Sequence, residues 1–236
     1  MAALSLPLDY SRIRRVQSFA ELAAAPFENE INAVCWERDL PGDFSAVVAA
    51  LGTISGVETL EESRLLDLPL DNAGQRAVAA MLEDLQQLRA HTFDPVLNCI
   101  SAYPRDDHPG PVRTDVLSFH ADSAPVPAAT WLCTYYGPPS EGLRNDEAVR
   151  QIDIKEVQAD LLNEFGGADD ESFREYLRES CYDLHYAPRP NARPFSFGVG
   201  NLWRIACEYP GCPVPPCIHR APETNPNHPP RLLLIS

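Results

Sequence analysis

The run Leu117-Ser118-Phe119-His120-Ala121-Asp122 alternates apolar and polar side chains with the two-residue period of a β-strand. Successive side chains of a strand face opposite ways, so His120 and Asp122 project together while Leu117, Phe119 and Ala121 turn away. An imidazole and a carboxylate aimed into one cavity are a start towards a metal site. A third ligand is offered far downstream by Cys217-Ile218-His219-Arg220, a second strand-like run, with Arg231 twelve residues after His219.

Two imidazoles and one carboxylate leave several coordination positions open, which is the ligand set of the facial triad in non-haem Fe(II) oxygenases. His-x-Asp by itself is weak, because the pair arises by chance in many chains. The competing assignment makes His120 a partly buried histidine bonded to a backbone carbonyl, Asp122 a turn cap and His219 unrelated. The strand-like setting of both segments and the Arg that follows favour the triad.

Working outward, residues 96–103, 128–136, 194–205, 217–221 and 231–236 read as further strands, cut short by Pro and Gly turns. The chain holds 23 prolines, which accounts for the abrupt ends. Short strands in this arrangement predict an antiparallel barrel or sandwich. The apolar run at 231–236 predicts a strand locked into the sheet, so that truncating it harms folding.

Residues 1–92 read as a mainly helical supporting section within a single domain spanning 1–236, with a β core over 93–236. Ser18 and Glu21 stand at capping-box spacing, Asp43 can cap a helix over 44–51, and residues 31–36 alternate as a short strand. The strongest helix covers 72–90, where Val78, Met81, Leu82, Leu85 and Leu88 form one stripe and Glu83, Asp84, Gln86 and Gln87 fill the opposite side. Residues 146–186 interrupt the β pattern with two helical stripes and read as an insertion. Residues 104–114 form a polar Pro- and Asp-rich loop. The fold class expected is therefore α+β.

A chain of 236 residues can bury a full core. Its net charge of −15 disfavours nucleic acid and anionic lipid surfaces as partners. No run reaches the ~20 apolar residues that span a bilayer, and the first residues lack the pattern of a secretory signal. A cytoplasmic location is expected. The seven cysteines are then reduced thiols, most of them small buried apolar groups.

The order of parts resembles the Fe(II)- and 2-oxoglutarate-dependent dioxygenase superfamily over residues 93–236: Asn98 and Tyr103 on one strand, His120-Ala121-Asp122, Gly200-Asn201-Leu202-Trp203, His219-Arg220-Ala221-Pro222, then Arg231-Leu232-Leu233-Leu234. Segments such as Ala33-Val34-Cys35-Trp36-Glu37-Arg38 and Thr134-Tyr135-Tyr136-Gly137-Pro138 also look similar to an uncharacterised bacterial family of unknown function, which supplies no activity. The superfamily likeness implies a double-stranded β-helix, a jelly-roll or cupin-like barrel with the metal at its mouth. It implies that His120, Asp122 and His219 hold Fe(II), and that Arg231 binds the distal carboxylate of 2-oxoglutarate. Asn98, Tyr103 and Tyr135 would add hydrogen bonds to that cosubstrate. The activity implied is oxidative decarboxylation of the 2-oxo acid coupled to attack on a substrate C–H bond. The physical case for Arg231 stands beside the likeness, because a buried carboxylate matches an Arg fork in two parallel bonds. Arg220 is the weaker candidate, since it faces away from His219 on the strand.

Two other readings compete. Cys207, Cys212, Cys217 and His219 are the ligand types of a structural Cys3His zinc site, although each Cys step is long for one. A cupin-like barrel that binds a metal or small ligand without oxidising anything is the other. The substrate expected is a small molecule, an amino-acid derivative or a peptide side chain, and the oligomeric state is not readable from sequence.

Overall fold

The structure is a computed structural model that describes residues 6, 7, 9–91, 94–105, 110–224 and 229–236. Among these, thirteen strands form two sheets and six α-helices accompany them, so the fold is α+β, with one sheet curled into a half-barrel. The larger sheet runs β1 (Ile13–Val16), β2 (Ala33–Trp36), β11 (Leu202–Ala206), β6 (Ala129–Tyr136), β13 (Arg231–Ile235), β4 (Val96–Ile100), β3 (Val57–Thr59). The smaller runs β10 (Phe195–Ser196), β7 (Glu141–Leu143), β12 (Ile218–Arg220), β5 (Phe119–His120), β9 (His185–Pro188), β8 (Ala148–Arg150). Apart from the parallel β1–β2 pair, the ladders between these strands are antiparallel.

Alternation along the central strands sorts side chains to two cores. Trp131, Cys133 and Tyr135 of β6 and Leu232 and Leu234 of β13 face helices α1 (Phe19–Ala24), α2 (Phe44–Leu51) and α4 (Asn72–Arg89), where Val47, Met81, Leu85 and Leu88 meet them. Leu132, Leu233, Trp203 and Ile205 face the other way, towards Phe195, Phe197 and Cys217. Each fully buried side chain of this kind is worth about 1.5–3 kcal/mol relative to exposure. The terminal strand β13 lies between β6 and β4, so its loss would break two ladders at once.

The helix starts are where the caps place them. Ser18 Oγ accepts from the Glu21 N–H, Asp43 from Ser45 and Ala46, and Asp71 from Ala73 and Gly74. Residues 1–92 nonetheless do more than support the barrel from outside, because β1, β2 and β3 form both edges of the larger sheet. The strand expected over 117–122 shrinks to Phe119–His120, since Asp115 folds 115–118 into a turn by accepting from the Leu117 and Ser118 N–H groups. The 146–186 insertion is helical only in α5 (Lys155–Phe165), α6 (Glu171–Glu179) and short 3₁₀ turns, while its two ends enter the smaller sheet as β8 and the start of β9. Part of the 104–114 loop, residues 106–109, lies outside the described residues.

Asp84 departs from its expected solvent position. It is 2% exposed and paired to Arg38, with Arg38 Nη1 to Asp84 Oδ1 at 2.7 Å and Tyr135 donating to Asp84 Oδ2 at 2.7 Å. Arg38 also donates from Nε to the Gly200 carbonyl at 2.9 Å, tying α4 to the segment before β11.

Candidate metal centre

His120 on β5 and His219 on β12 are directly opposed in the antiparallel register. Asp122 follows β5, its carbonyl accepting the Glu208 N–H at 2.7 Å and its Oδ2 accepting the Thr130 hydroxyl. His120 Nε2 stands 3.7 Å from Asp122 Oδ1 and His219 Nε2 stands 3.6 Å from Oδ2. The two rings are 4.6 Å apart, and one donor atom from each residue lies within 4.8 Å of the others. Among the described residues this is the one group of three or more His, Cys, Asp or Glu side chains spaced to hold a metal. Gly142, opposite His219 in β7, lets the Phe195 and Phe197 rings pack down beside the site: a Cβ there would collide with their edges.

The hydrogen bonds around the rings fix which nitrogen is free. His120 Nδ1 lies 2.8 Å from the Ser118 carbonyl and His219 Nδ1 lies 3.4 Å from the Cys217 carbonyl. A carbonyl only accepts, so each Nδ1 carries a proton, and each Nε2 is the ring nitrogen that faces Asp122. Such outer contacts orient metal-binding imidazoles. Burial, reinforced by the neighbouring His219, pulls the His120 pKa down to about 4, so the ring is neutral near pH 7. Burial pushes the Asp122 carboxyl up, but His219, the Thr130 hydroxyl and His120 together hold it below the usual carboxylate range.

Arg231 on β13 of the larger sheet bonds Thr134 of β6, four residues along from Thr130, which holds Asp122. It is 2% exposed, donating from Nη1 to the Tyr103 hydroxyl and from Nη2 to Thr134 Oγ1 at 2.9 Å and Ser140 Oγ at 2.7 Å. Its Nε is buried with no partner, and among the described residues no carboxylate pairs with it. Burial lowers its pKa from the ordinary arginine value.

The other expected cosubstrate residues divide. Tyr103 contacts Arg231, as above. Asn98 faces the inter-sheet side opposite Leu233, and its Oδ1 accepts from the Thr59 hydroxyl at 2.9 Å. Tyr135 does not belong to the site: alternation turns it to the helix side, where it bonds Asp84 and stacks on Phe44 at 5.6 Å. Arg220 faces outward onto Glu141 and the Phe119 ring. The thiols of the Cys3His reading do not converge, because Cys217 is buried in the inter-sheet core, Cys207 contacts Thr130 and Cys212 bonds the Val214 carbonyl.

Sequence reasoning missed Thr130, Thr134 and Ser140, whose common hydroxyls carry no spacing signal. It also missed His185, opposed to His120 across β5–β9, 5% exposed and with Nδ1 2.6 Å from Ser118 Oγ. The only signal for His185 was the alternation at 185–188, which was absorbed into the supposed insertion. A groove of about 550 Å³ opens on Asp122 and runs past Val126 and Tyr209 to Trp131, Arg204 and Phe27. Comparisons with protein-family models, with curated proteins and with solved structures found no match.

Proposed function

We propose that this protein is an Fe(II)- and 2-oxoglutarate-dependent oxygenase on a double-stranded β-helix, hydroxylating a small molecule, an amino-acid derivative or a peptide side chain. The observation that carries the reading is a guanidinium buried without an acid among the described residues, tied through Thr134 to the same strand whose Thr130 holds the Asp122 of a His-Asp-His cluster. A buried cation without a counter-charge is costly, and an anionic ligand relieves it.

Thr130, bonded to Asp122, and Thr134, bonded to Arg231, lie four residues apart on one strand, a separation of about 13 Å. Subtracting a metal bond of about 2.1 Å and a hydrogen bond of about 2.9 Å leaves roughly 8 Å. That is the scale of a five-carbon chain with a carboxylate at each end, which favours 2-oxoglutarate over a shorter 2-oxo acid.

The donor set fits the metal. His120 and His219 offer bare Nε2 atoms, each ring held through Nδ1, and Asp122 offers a carboxylate steadied by Thr130. Arg231 with Tyr103, Thr134 and Ser140 seats the distal carboxylate. Leu132, Trp203, Phe197 and Leu233 wall the space between the sheets and exclude bulk water. When bound, the ferrous ion supplies O2 chemistry coupled to loss of CO2, so that substrate R–H, O2 and 2-oxoglutarate become R–OH, succinate and CO2.

The test is anaerobic addition of Fe(II) and 2-oxoglutarate, followed by exposure to air. A weak visible charge-transfer band and slow succinate formation are expected, both lost in His120→Ala and Asp122→Ala. Metal binding with neither band nor succinate would instead favour a non-oxidative metal-binding barrel.

A further inference from the structure

The groove that opens on Asp122 contains a second cation without an acid. Arg204 on β11 donates from Nη1 to three carbonyls at the end of α1, those of Leu22 at 3.4 Å, Ala23 at 2.9 Å and Ala25 at 2.8 Å. Its guanidinium lies over the Phe27 ring at 4.6 Å and the Trp131 ring at 5.5 Å from the centroids. Nη1 is thus engaged, and two aromatic rings flank the plane. The Nε and Nη2 edge makes no hydrogen bond to any described residue, and no described carboxylate pairs with it. That edge is the side-on fork that receives a carboxylate in two parallel bonds.

Position links this fork to the metal cluster. Arg204 is opposed to Trp131, the residue next to Thr130, which holds Asp122. Thr130 and Arg204 lie on adjacent strands with their side chains on opposite faces of the larger sheet, and the groove lined by Asp122, Thr130 and Arg204 joins the two sides at the strand ends. With strands about 4.8 Å apart and a side chain extending from each face, the separation is on the order of 10 Å. Between them Phe27, Trp131, Ala128 and Val126, the last 61% exposed at the mouth, give the wall apolar and aromatic patches, interrupted by His91, Ser123 and Ser236. In a chain of net charge −15, a guanidinium with a free edge beside aromatic and apolar groove wall is a selective feature.

We infer that the substrate is a carboxylic acid with an apolar or aromatic body, its carboxylate held on the Nε and Nη2 edge of Arg204 and its far end presented to the cluster at Asp122. This inference rests on the oxygenase reading for what happens at the far end, but the anchor itself is testable without turnover. Arg204 is a specificity residue, distinct from Arg231, which serves the cosubstrate.

The experiment compares binding of 3-phenylpropionate with that of its neutral amide by calorimetry, with 2-oxoglutarate present so that Arg231 is occupied. The acid should bind at least about 10-fold more tightly than the amide, as expected for charge-assisted bonds. Arg204→Met should abolish the preference and Arg231→Met should leave it intact. Because Arg204 also caps α1, its loss can weaken folding, so Val126→Glu serves as a second variant: a carboxylate at the exposed mouth should weaken acid binding several-fold and leave amide binding unchanged. The same preference in His120→Ala, which lacks a cluster ligand, would separate the anchor from the oxygenase reading. A C-terminal phenylalanyl peptide distinguishes a peptide carboxylate from a free small acid as the source. Equal binding of acid and amide to the unaltered protein, or a preference unmoved by both Arg204→Met and Val126→Glu, would overturn the inference.

Discussion

Replacing Arg231 by Met separates a structural arginine from one held for a ligand. In the ligand-free protein the guanidinium is buried and, among the described residues, bonded only to the hydroxyls of Tyr103, Thr134 and Ser140, with Nε unpartnered. Exchanging such a cation for an apolar side chain of similar length is commonly neutral or stabilising. The ligand-free variant should therefore melt within about 2 °C of the unaltered protein or above it. With 2-oxoglutarate at a hundred times Kd, binding to the folded state adds about 2.7 kcal/mol. At about 2–4 °C per kcal/mol for a chain of this size, the unaltered protein should gain roughly 5–10 °C. Losing the charge-assisted pair removes about 3 kcal/mol, a little over 100-fold in Kd. At the same ligand concentration Arg231→Met should then gain only about 1 °C. Scanning calorimetry under argon with a divalent metal reads both numbers. A variant that keeps the full ligand-induced rise, or that loses several degrees without ligand, refutes the assignment of Arg231 to the distal carboxylate.

Three further outcomes follow from contacts elsewhere in the fold. Asp84→Ala leaves Arg38 and Tyr135 without their shared acceptor and should lower stability by about 3–5 kcal/mol in urea unfolding, whereas exposed Glu83→Gln should stay within about 0.5 kcal/mol. Gly142→Ala forces Phe195 and Phe197 aside next to His219, and should cost about 1–3 kcal/mol while weakening metal uptake in the same preparation. A disulfide reagent on the native protein should modify exposed Cys181 quickly and half-buried Cys212 more slowly, with Cys35, Cys99, Cys133, Cys207 and Cys217 released only on unfolding. Burial raises the Cys99 thiol to about 11 and Cys133 to about 12, so these two stay protonated and inert at neutral pH.

The parts of the site legible in the sequence were those set by local alternation. His120 and Asp122 are two residues apart, and the i, i+2 rule aims them together even though the strand proper ends at His120. His219 and Arg231 were found by order along the chain. Tyr135 has the residue type of a cosubstrate ligand but the opposite phase: in β6 the inter-sheet positions are Thr130, Leu132 and Thr134. A shift of register between Leu232 and Leu233 alters the pairing close to that point. Asp84 was unreadable because its partner Arg38 stands 46 residues away, and nothing in a helical stripe marks one acid among four polar residues as buried. The edge strands β1 and β3 are three or four residues long and partly polar, too short for their period to register. Arg204 carried no motif, since its meaning comes from Phe27, Trp131 and the end of α1.

The decisive measurement is the stoichiometry and affinity of divalent metal binding, by anaerobic calorimetric titration with Fe(II) and with Mn(II), on the unaltered chain and on His120→Ala, Asp122→Ala and His219→Ala. One ion per chain is expected, with binding lost in each of the three variants and retained in Cys207→Ser and Cys212→Ser. Unchanged uptake in any two of the three cluster variants, or loss of the metal on removing the thiols alone, would contradict a metal held by two histidines and one aspartate.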